Sequence, residues 1–266
     1  MTVATAHATH RDHRTTATPH PRAIPFSRLA RVELRKQLDT RAGIWLLAVV
    51  VLVNLALSAL VLFAGEPETR TWQELTTASS LGQVLLLPLI GIMAATGEWS
   101  QRTALTTFTL EPRRNRVTAA KLLSAWGLGL TVMVGALLAG AVLNVVGMLW
   151  LDGDGSWALE WAVVGGMVGA LLILVTQGLA FGLALMSTPV AIVAYLALPT
   201  AWTVLTMLVD SLDTTARWLN LDRAMGPLLD GQLDATAWAQ LGTSTAVWVL
   251  LPLAVGLWRT ARRDVS

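Results

Sequence analysis

The longest run of the chain without a charged residue extends from Trp161 to Val209 and contains 49 residues. At about 1.5 Å per residue, one continuous helix of that length would be far longer than the ~30 Å hydrocarbon layer of a bilayer is thick. The run therefore predicts two membrane spans. We place the break between them at Met186-Ser187-Thr188-Pro189, because proline disfavours helix in the residue before it and is well tolerated at a helix start.

The composition also indicates an integral membrane protein. Of 266 residues, 54% are hydrophobic and 14% are charged, which is too little polar surface for a soluble globule of this size. We therefore predict an all-α membrane protein with six transmembrane helices. The predicted spans lie at about 43–64, 81–98, 122–150, 161–186, 189–209 and 237–258.

The distribution of basic residues predicts the orientation of these spans. If both termini are cytoplasmic, sixteen of the nineteen Lys and Arg residues lie inside, and only Arg70, Arg217 and Arg223 lie outside, as the positive-inside rule requires. The interval Asp210 to Thr236 is then extracellular, and we expect one or two short helices there that form an outer cap. Seventeen arginines against two lysines are typical of a GC-rich bacterial genome, so we expect a multi-pass protein of the bacterial cytoplasmic membrane.

The amino-terminal region divides into two parts at about Pro25. Residues 1–25 contain all four histidines and show no apolar period, which predicts a disordered cytoplasmic tail. Histidines at this spacing allow weak binding of a divalent metal, but a flexible tail is the favoured interpretation. From Phe26 to Arg41 the apolar and basic residues separate onto two helix faces, which predicts an amphipathic helix at the lipid headgroups. An ordinary basic flank that is helical stays open as an alternative. The transmembrane domain would then comprise residues 26–266.

Several kinds of chemistry lack the residues they need. There is no phosphate-binding loop for ATP, no cysteine, and no histidine beyond His20, so we expect no catalytic residue, metal site or cofactor in this chain. The spans carry no ionisable residue at their centres, which argues against proton relays and most ion-coupled carriers. The basic residues flank the spans, where topology explains them, so no nucleic-acid partner is expected. Gly165-x-x-x-Gly169 and Gly178-x-x-x-Gly182 predict close helix packing within the chain.

Four segments carry a resemblance to a known family. They are Arg31-Val-Glu33-Leu-Arg35-Lys36 before the first span, Gly97-Glu98-Trp99 followed by Arg102-Thr103, Pro112-Arg-Arg-Asn-Arg116 before Ala120-Lys121, and Trp248-Val-Leu-Leu-Pro252 with Gly256 and Arg259. In this pattern the chain, from Arg31 onward, resembles the small ABC-2 type permeases, the membrane subunits of ATP-binding-cassette exporters.

The resemblance implies a short coupling helix between spans two and three, at roughly Ser100 to Leu110, that docks with the amphipathic helix into a separate ATPase subunit. The expected ATPase-coupling residues are Glu98, Arg102, Leu105, Phe108, Arg113, Arg114, Arg116 and Lys121. The expected residues of the interfacial helix are Arg31, Glu33, Arg35 and Lys36. Partners would be the ATPase subunit, which binds ATP and Mg, a second permease copy that is identical or a paralogue, and membrane lipid.

In this family, spans one, two and five usually face the second permease across the pathway. On that basis the candidate substrate-path residues are Asn54, Met93, Tyr195, Trp202 and Thr206. A path without formal charge suits an amphipathic or apolar cargo, such as an antibiotic, a lipid or a hydrophobic peptide. The resemblance to this family implies that the cargo is exported.

Two other interpretations stay open. The arginines of the loop after span two would also be explained by membrane topology or by anionic lipid. A membrane anchor or regulatory subunit that binds an ATPase without transporting anything stays open as the alternative to a permease. An intramembrane enzyme would need an ionisable pair inside the bilayer, and the sequence contains none there.

Overall fold

The computed structural model describes residues 24–101 and 103–262, and every regular element within them is a helix or a helical turn. In chain order the helices are Phe26–Leu38 (α1), Arg41–Ala64 (α2), Trp72–Ser100 (α3), Ala104–Leu110 (α4), Arg114–Trp150 (α5), Trp161–Leu185 (α6), Thr188–Leu208 (α7), Asp213–Leu219 (α8), Leu221–Leu229 (α9), Ala235–Thr245 (α10) and Leu251–Arg262 (α11), with a π turn at Ala246–Leu250 between the last two. Nearly all of the tail predicted for residues 1–25, including its histidines, lies outside the described residues, as do Arg102 and Arg263.

Six of these helices are long and apolar enough to cross a membrane within residues 24–101 and 103–262, which confirms the predicted number. They are α2, α3, α5, α6, α7 and the continuous segment Ala235–Arg262 that contains α10, the π turn and α11. The break between α6 and α7 lies where the proline predicts it. Met186 adopts a left-handed conformation with φ 52°, and Pro189 follows in the first turn of α7.

Two spans begin earlier than their apolar sequence suggests. The helix α3 begins at Trp72 and α5 begins at Arg114, whereas absence of charge alone marks only their apolar parts. The start of α3 is capped by the Thr71 hydroxyl, which accepts a hydrogen bond of 3.2 Å from the Glu74 amide. The hydroxyl of Ser79 donates to the Thr76 carbonyl within the same helix, so two side-chain hydroxyls in the polar first turns of α3 bond to its own backbone.

The centre of the bundle is the contact between α3 and α6, where glycines allow the two backbones to meet. A Cβ atom at Gly178 would lie 1.9 Å from the Pro88 carbonyl oxygen, and one at Gly91 would lie 2.2 Å from the Val175 carbonyl oxygen. Any side chain would therefore force the helices apart. The motif Gly178-x-x-x-Gly182 packs within the chain, as predicted. A Cβ atom at Gly165, the first glycine of the other motif, would have no neighbour within 4 Å.

Two short helices, α8 and α9, cover one end of the bundle, which we call the cap end. The indole of Trp248 in the π turn donates a 2.6 Å hydrogen bond to the carbonyl of Leu219, the last residue of α8. Met225 and Leu228 are buried against Leu174 of α6. The short helices agree with the expectation for residues 210–236, while the side of the membrane that they face stays a prediction.

The outer surface of the bundle is apolar, with tryptophans near the helix ends. Only Ala191 and Tyr195 of α7 are buried. The exposed tryptophans at or near the ends of spans are Trp45, Trp150, Trp161, Trp238 and Trp258. Interfacial tryptophan belts around apolar surface are typical of membrane spans.

Candidate functional site

The helix α1 lies against the first turns of α5 at the end of the bundle opposite the cap, which we call the α1 end. Leu29 is buried beside Val117 and Ala120. Glu33 follows Leu29 by four residues in α1, and Lys121 follows Val117 by four residues in α5. Because residues i and i+4 share one helix face, the apolar contact at Leu29 places Glu33 opposite Lys121.

Four charged side chains meet at this point, and we call them the charge cluster: Glu33 and Lys36 of α1, Glu98 of α3 and Lys121 of α5. Lys121 Nζ lies 2.7 Å from Glu33 Oε2 and 3.2 Å from Glu98 Oε1. Lys36 Nζ lies 2.7 Å from Glu33 Oε1 and 3.0 Å from Glu98 Oε1. Each carboxylate therefore contacts both ammonium groups, and the only two lysines of the chain are both used here.

Three members of the charge cluster are withdrawn from solvent. The side chains of Glu33, Glu98 and Lys121 are 2%, 4% and 5% exposed, whereas that of Lys36 is 40% exposed. Burying charges is costly, and the cost is offset only where each charge has a partner in good geometry. The equal number of positive and negative groups meets that condition, so the cluster holds α1 in one register against α3 and α5.

Lys36 connects the charge cluster to the short helix α4. Its Nζ atom lies 3.5 Å from the hydroxyl oxygen of Thr107. Burial acts to lower the pKa of the Lys36 ammonium, but the hydrogen bond to Glu33 and the attraction of Glu33 and Glu98 outweigh it and raise the pKa above its ordinary value. Lys36 is therefore charged throughout the physiological range and stays paired with both carboxylates.

The helix α4 presents apolar side chains outward. Leu105 is 53% exposed and Leu110 is 69% exposed, and we call these two residues the α4 surface. Phe108 lies in the same helix, but its side chain lies outside what the structure describes. Both leucines are therefore available for contact with a partner or with lipid.

The basic loop after α4 is held mostly by contacts within the chain. Arg116 pairs with Glu111 at 2.6 Å and also donates to the Ile24 carbonyl. Arg114 donates to the Thr260 carbonyl near the end of α11. Arg113 is exposed. Four arginines were predicted to couple to a partner. Arg102 lies outside the described residues, and of the other three, Arg114 and Arg116 already have structural contacts.

The structure combines residues that sequence reasoning assigned to two separate roles. Glu98 and Lys121 were expected to couple to a partner, and Glu33 and Lys36 to belong to the interfacial helix; they form one site. Arg31 and Arg35 are exposed and lie outside the charge cluster. The sequence carried one unused signal: the only two lysines of an arginine-rich chain stand in the two polar segments that flank spans and that also carry Glu33 and Glu98.

A cavity of about 1010 Å³ lies beside the charge cluster. It is lined by α1, the start of α2, the end of α3, α4, the first half of α5 and the start of α7. Thr96 and Thr188, whose hydroxyl oxygens are 2.7 Å apart, join α3 to α7 at its edge. Its apolar wall includes Val32, Leu46, Leu47, Ile90, Met93 and Ile192. Sequence reasoning did not anticipate this cavity.

The five predicted substrate-path residues lie at separate places in the structure and do not line one common cavity. Met93 lines the large cavity. Asn54 is buried where Gly82 of α3 leaves room for its side chain, and Tyr195 donates a 3.3 Å hydrogen bond to the Val84 carbonyl.

The remaining two path residues lie nearer the cap end. Thr206 lines a second cavity of about 480 Å³, together with Thr203, Asn220 and Asp222. Trp202 is partly buried, and its indole nitrogen has no hydrogen-bond partner among the described residues. Asp222 lines the second cavity, and burial of its carboxyl group there raises the pKa of that group.

The described side chains of the charge cluster and of α4 offer ion pairing and apolar contact. Within residues 24–101 and 103–262, no three His, Asp or Glu residues are grouped so that they could hold a metal ion. Comparison of the chain with protein-family models, with curated proteins and with solved structures gives no match.

Proposed function

We propose that the chain is the permease subunit of an ATP-binding-cassette exporter in the bacterial cytoplasmic membrane. A separate ATPase subunit would bind ATP and Mg and would hydrolyse the ATP, and a second permease copy would complete the pathway. The cargo would be an amphipathic or apolar compound moved out of the cytoplasm or the inner leaflet. The chain itself would perform no catalysis.

The observation that carries this proposal is the placement of α4 on the charge cluster. Both residues of the α4 surface are exposed, Leu105 outside the large cavity and Leu110 at its lining, while Thr107 on the same helix lies within 3.5 Å of Lys36. Lys36 in turn contacts Glu33 of α1 and Glu98 of α3, and Glu98 contacts Lys121 of α5. A partner that pushes on α4 would therefore act on two spans through partly buried, charge-assisted contacts.

Two further features support a transport role. The spans contain no charged side chain at their centres, which suits an apolar cargo. The helix α7 has only two buried residues, so most of its surface is available to lipid or to a second copy of the chain.

The first experiment tests the ATPase partner. The chain is purified from its native host in mild detergent through a carboxyl-terminal tag, and the proteins that accompany it are identified. We expect a stoichiometric ATPase that is lost from the double variant L105A/L110A, because this variant removes the α4 surface. The matched control T106A/T109A shortens two other side chains of the same helix and should retain the ATPase. A wild-type chain recovered folded and without an ATPase in several mild detergents would contradict the proposal.

The second experiment separates a permease from an anchor or regulatory subunit. The purified complex is reconstituted into proteoliposomes, and movement of apolar fluorescent drugs is followed with and without ATP. A permease should give ATP-dependent accumulation that disappears in L105A/L110A. An anchor would keep the ATPase bound and show no ATP-dependent movement of any compound in the panel.

A further inference from the structure

The large cavity at the α1 end has the properties of a ligand site. Its volume of about 1010 Å³ is at the upper end of the range of roughly 300–1,000 Å³ that is usual for small-molecule sites. Leu47, Ile90 and Met93 give it an apolar interior, and polar groups line it along α1, the end of α3 and α4. A ligand with one polar end and one apolar end would match this division.

The α1 wall of the cavity is basic. Arg28 and Arg35 both line it, and they lie on one face of α1 because seven residues correspond to about two helical turns. Val32 lies between them on the same wall. Arg31 belongs to the same helix but is not part of the cavity lining, so the two kinds of arginine can be compared directly.

The charges around the cavity leave a positive excess. Glu33 and Glu98 are compensated by the two lysines, and Glu111 is compensated by Arg116. Arg28 and Arg35 then stand against the single carboxylate of Asp39, and neither arginine is ion-paired among the described residues. A guanidinium group is suited to bidentate contact with a phosphate or carboxylate.

A second polar group in the cavity lacks a partner. The side-chain nitrogen of Gln37 donates a 2.8 Å hydrogen bond to the Ser124 hydroxyl. Its oxygen, Oε1, is buried and has no hydrogen-bond donor among the described residues. Buried acceptors are normally satisfied, but this oxygen has almost no surface that a ligand in the cavity could reach, so recognition of a ligand depends on the two arginines.

We propose that the cavity binds an anionic amphiphile, with its acid group between Arg28 and Arg35 and its acyl chain against Leu47, Ile90 and Met93. The ligand is defined by an acid group on an apolar chain, which a membrane phospholipid or a free fatty acid supplies. The binding does not depend on the ATPase partner, so it stands or falls separately from the transport proposal.

The test measures lipid binding to the purified full-length chain by native mass spectrometry. The probes are phosphatidylglycerol and phosphatidylcholine with identical acyl chains. We expect phosphatidylglycerol to bind more tightly, and the double variant R28A/R35A to weaken it by about tenfold or more, since two basic contacts near the headgroup are lost. The control R31A removes an arginine from the same helix outside the cavity and should leave the affinity nearly unchanged.

A cavity-filling variant tests the position of the acyl chain. M93W places a bulky side chain among the apolar wall residues and should weaken phosphatidylglycerol binding, while its elution as a single symmetrical species shows that the chain is folded. Oleate distinguishes the two sources of ligand: displacement of phosphatidylglycerol by oleate assigns the site to acid amphiphiles in general, and failure of oleate assigns it to the phospholipid headgroup.

Three results would overturn the proposal. Equal affinity for the two phospholipids would show that the acid group is not recognised. An effect of R31A as large as that of R28A/R35A would indicate general surface attraction. Displacement by glycerol phosphate as effective as that by the intact lipid would indicate an anion site without an acyl-chain contact.

Discussion

The ammonium nitrogen of Lys121 lies 2.7 Å from a carboxylate oxygen of Glu33, although 88 residues separate the two in the sequence. This contact joins a helix before the first span to the start of α5, and Glu98 of α3 completes it at 3.2 Å from the same ammonium. The α1 end is thus held by a small number of buried charges, and their removal has specific consequences.

Replacing Lys121 by methionine should destabilise the protein strongly. The variant keeps a side chain of similar length but leaves Glu33 and Glu98, which are 2% and 4% exposed, with Lys36 as their one remaining ammonium. Breaking a buried ion pair on one side costs about 3–5 kcal/mol. Thermal unfolding in detergent measures the loss. K36M is the matched control and should lose less, because Lys36 is 40% exposed; equal stability of K121M and the wild type would contradict the assigned role.

Exchanging the charges of Glu33 and Lys121 should restore part of the stability that either single change removes. E33K places three ammonium groups around Glu98, and K121E places three carboxylates around Lys36. The double variant E33K/K121E again has two charges of each sign. A double-mutant cycle should give a coupling free energy of about 0.5–3 kcal/mol. Strictly additive effects of the two changes would show that the side chains do not interact.

The contribution of Lys36 to stability should disappear only at alkaline pH. Its pKa is raised in the folded protein, so the folded state holds this proton more tightly than the unfolded state does. The contribution is fully present below the ordinary lysine pKa of about 10.4 and is lost as pH rises through the folded pKa. Unfolding measured between pH 7 and pH 11 should show a steeper alkaline decline for the wild type than for K36M. Parallel curves would contradict the prediction.

The contact between α3 and α6 should tolerate no side chain at Gly178. A Cβ atom there would lie 1.9 Å from the Pro88 carbonyl oxygen, so G178A should cost about 1–3 kcal/mol or more by forcing the helices apart. The control G165A lies in the same helix with no atom within 4 Å of its new Cβ. It should be neutral or slightly stabilising, because alanine loses less conformational freedom in a helix than glycine does. Unfolding of both variants in the same detergent decides the comparison.

Much of the helical architecture was accessible from the sequence because it follows from local patterns. Charge-free intervals revealed the six spans, and Pro189 marked the break after α6. The helix starts at Trp72 and Arg114 were harder to predict, since polar first turns are stabilised by hydroxyl groups and by neighbouring helices that the sequence does not display.

The candidate site depended on tertiary contacts that no local pattern contains. Glu33 and Lys121 were each identified as interesting, but their spacing in the chain says nothing about their distance in space. The π turn at Ala246–Leu250 and the large cavity are further examples. Both arise from how helices meet, so neither has a periodic signature that could have been recognised.

The composition of the charge cluster determines how the α1 end can separate. One side of the boundary, α1, carries Glu33 and Lys36, which pair with each other at 2.7 Å; the other side carries Glu98 and Lys121, which pair at 3.2 Å. Within the cluster, the pair on each side has no net charge. If α1 moved away from the bundle, the cluster would divide into two complete ion pairs, and none of its four charges would lose every partner. The α1 boundary is therefore a place where the structure can open without leaving an unpaired buried charge.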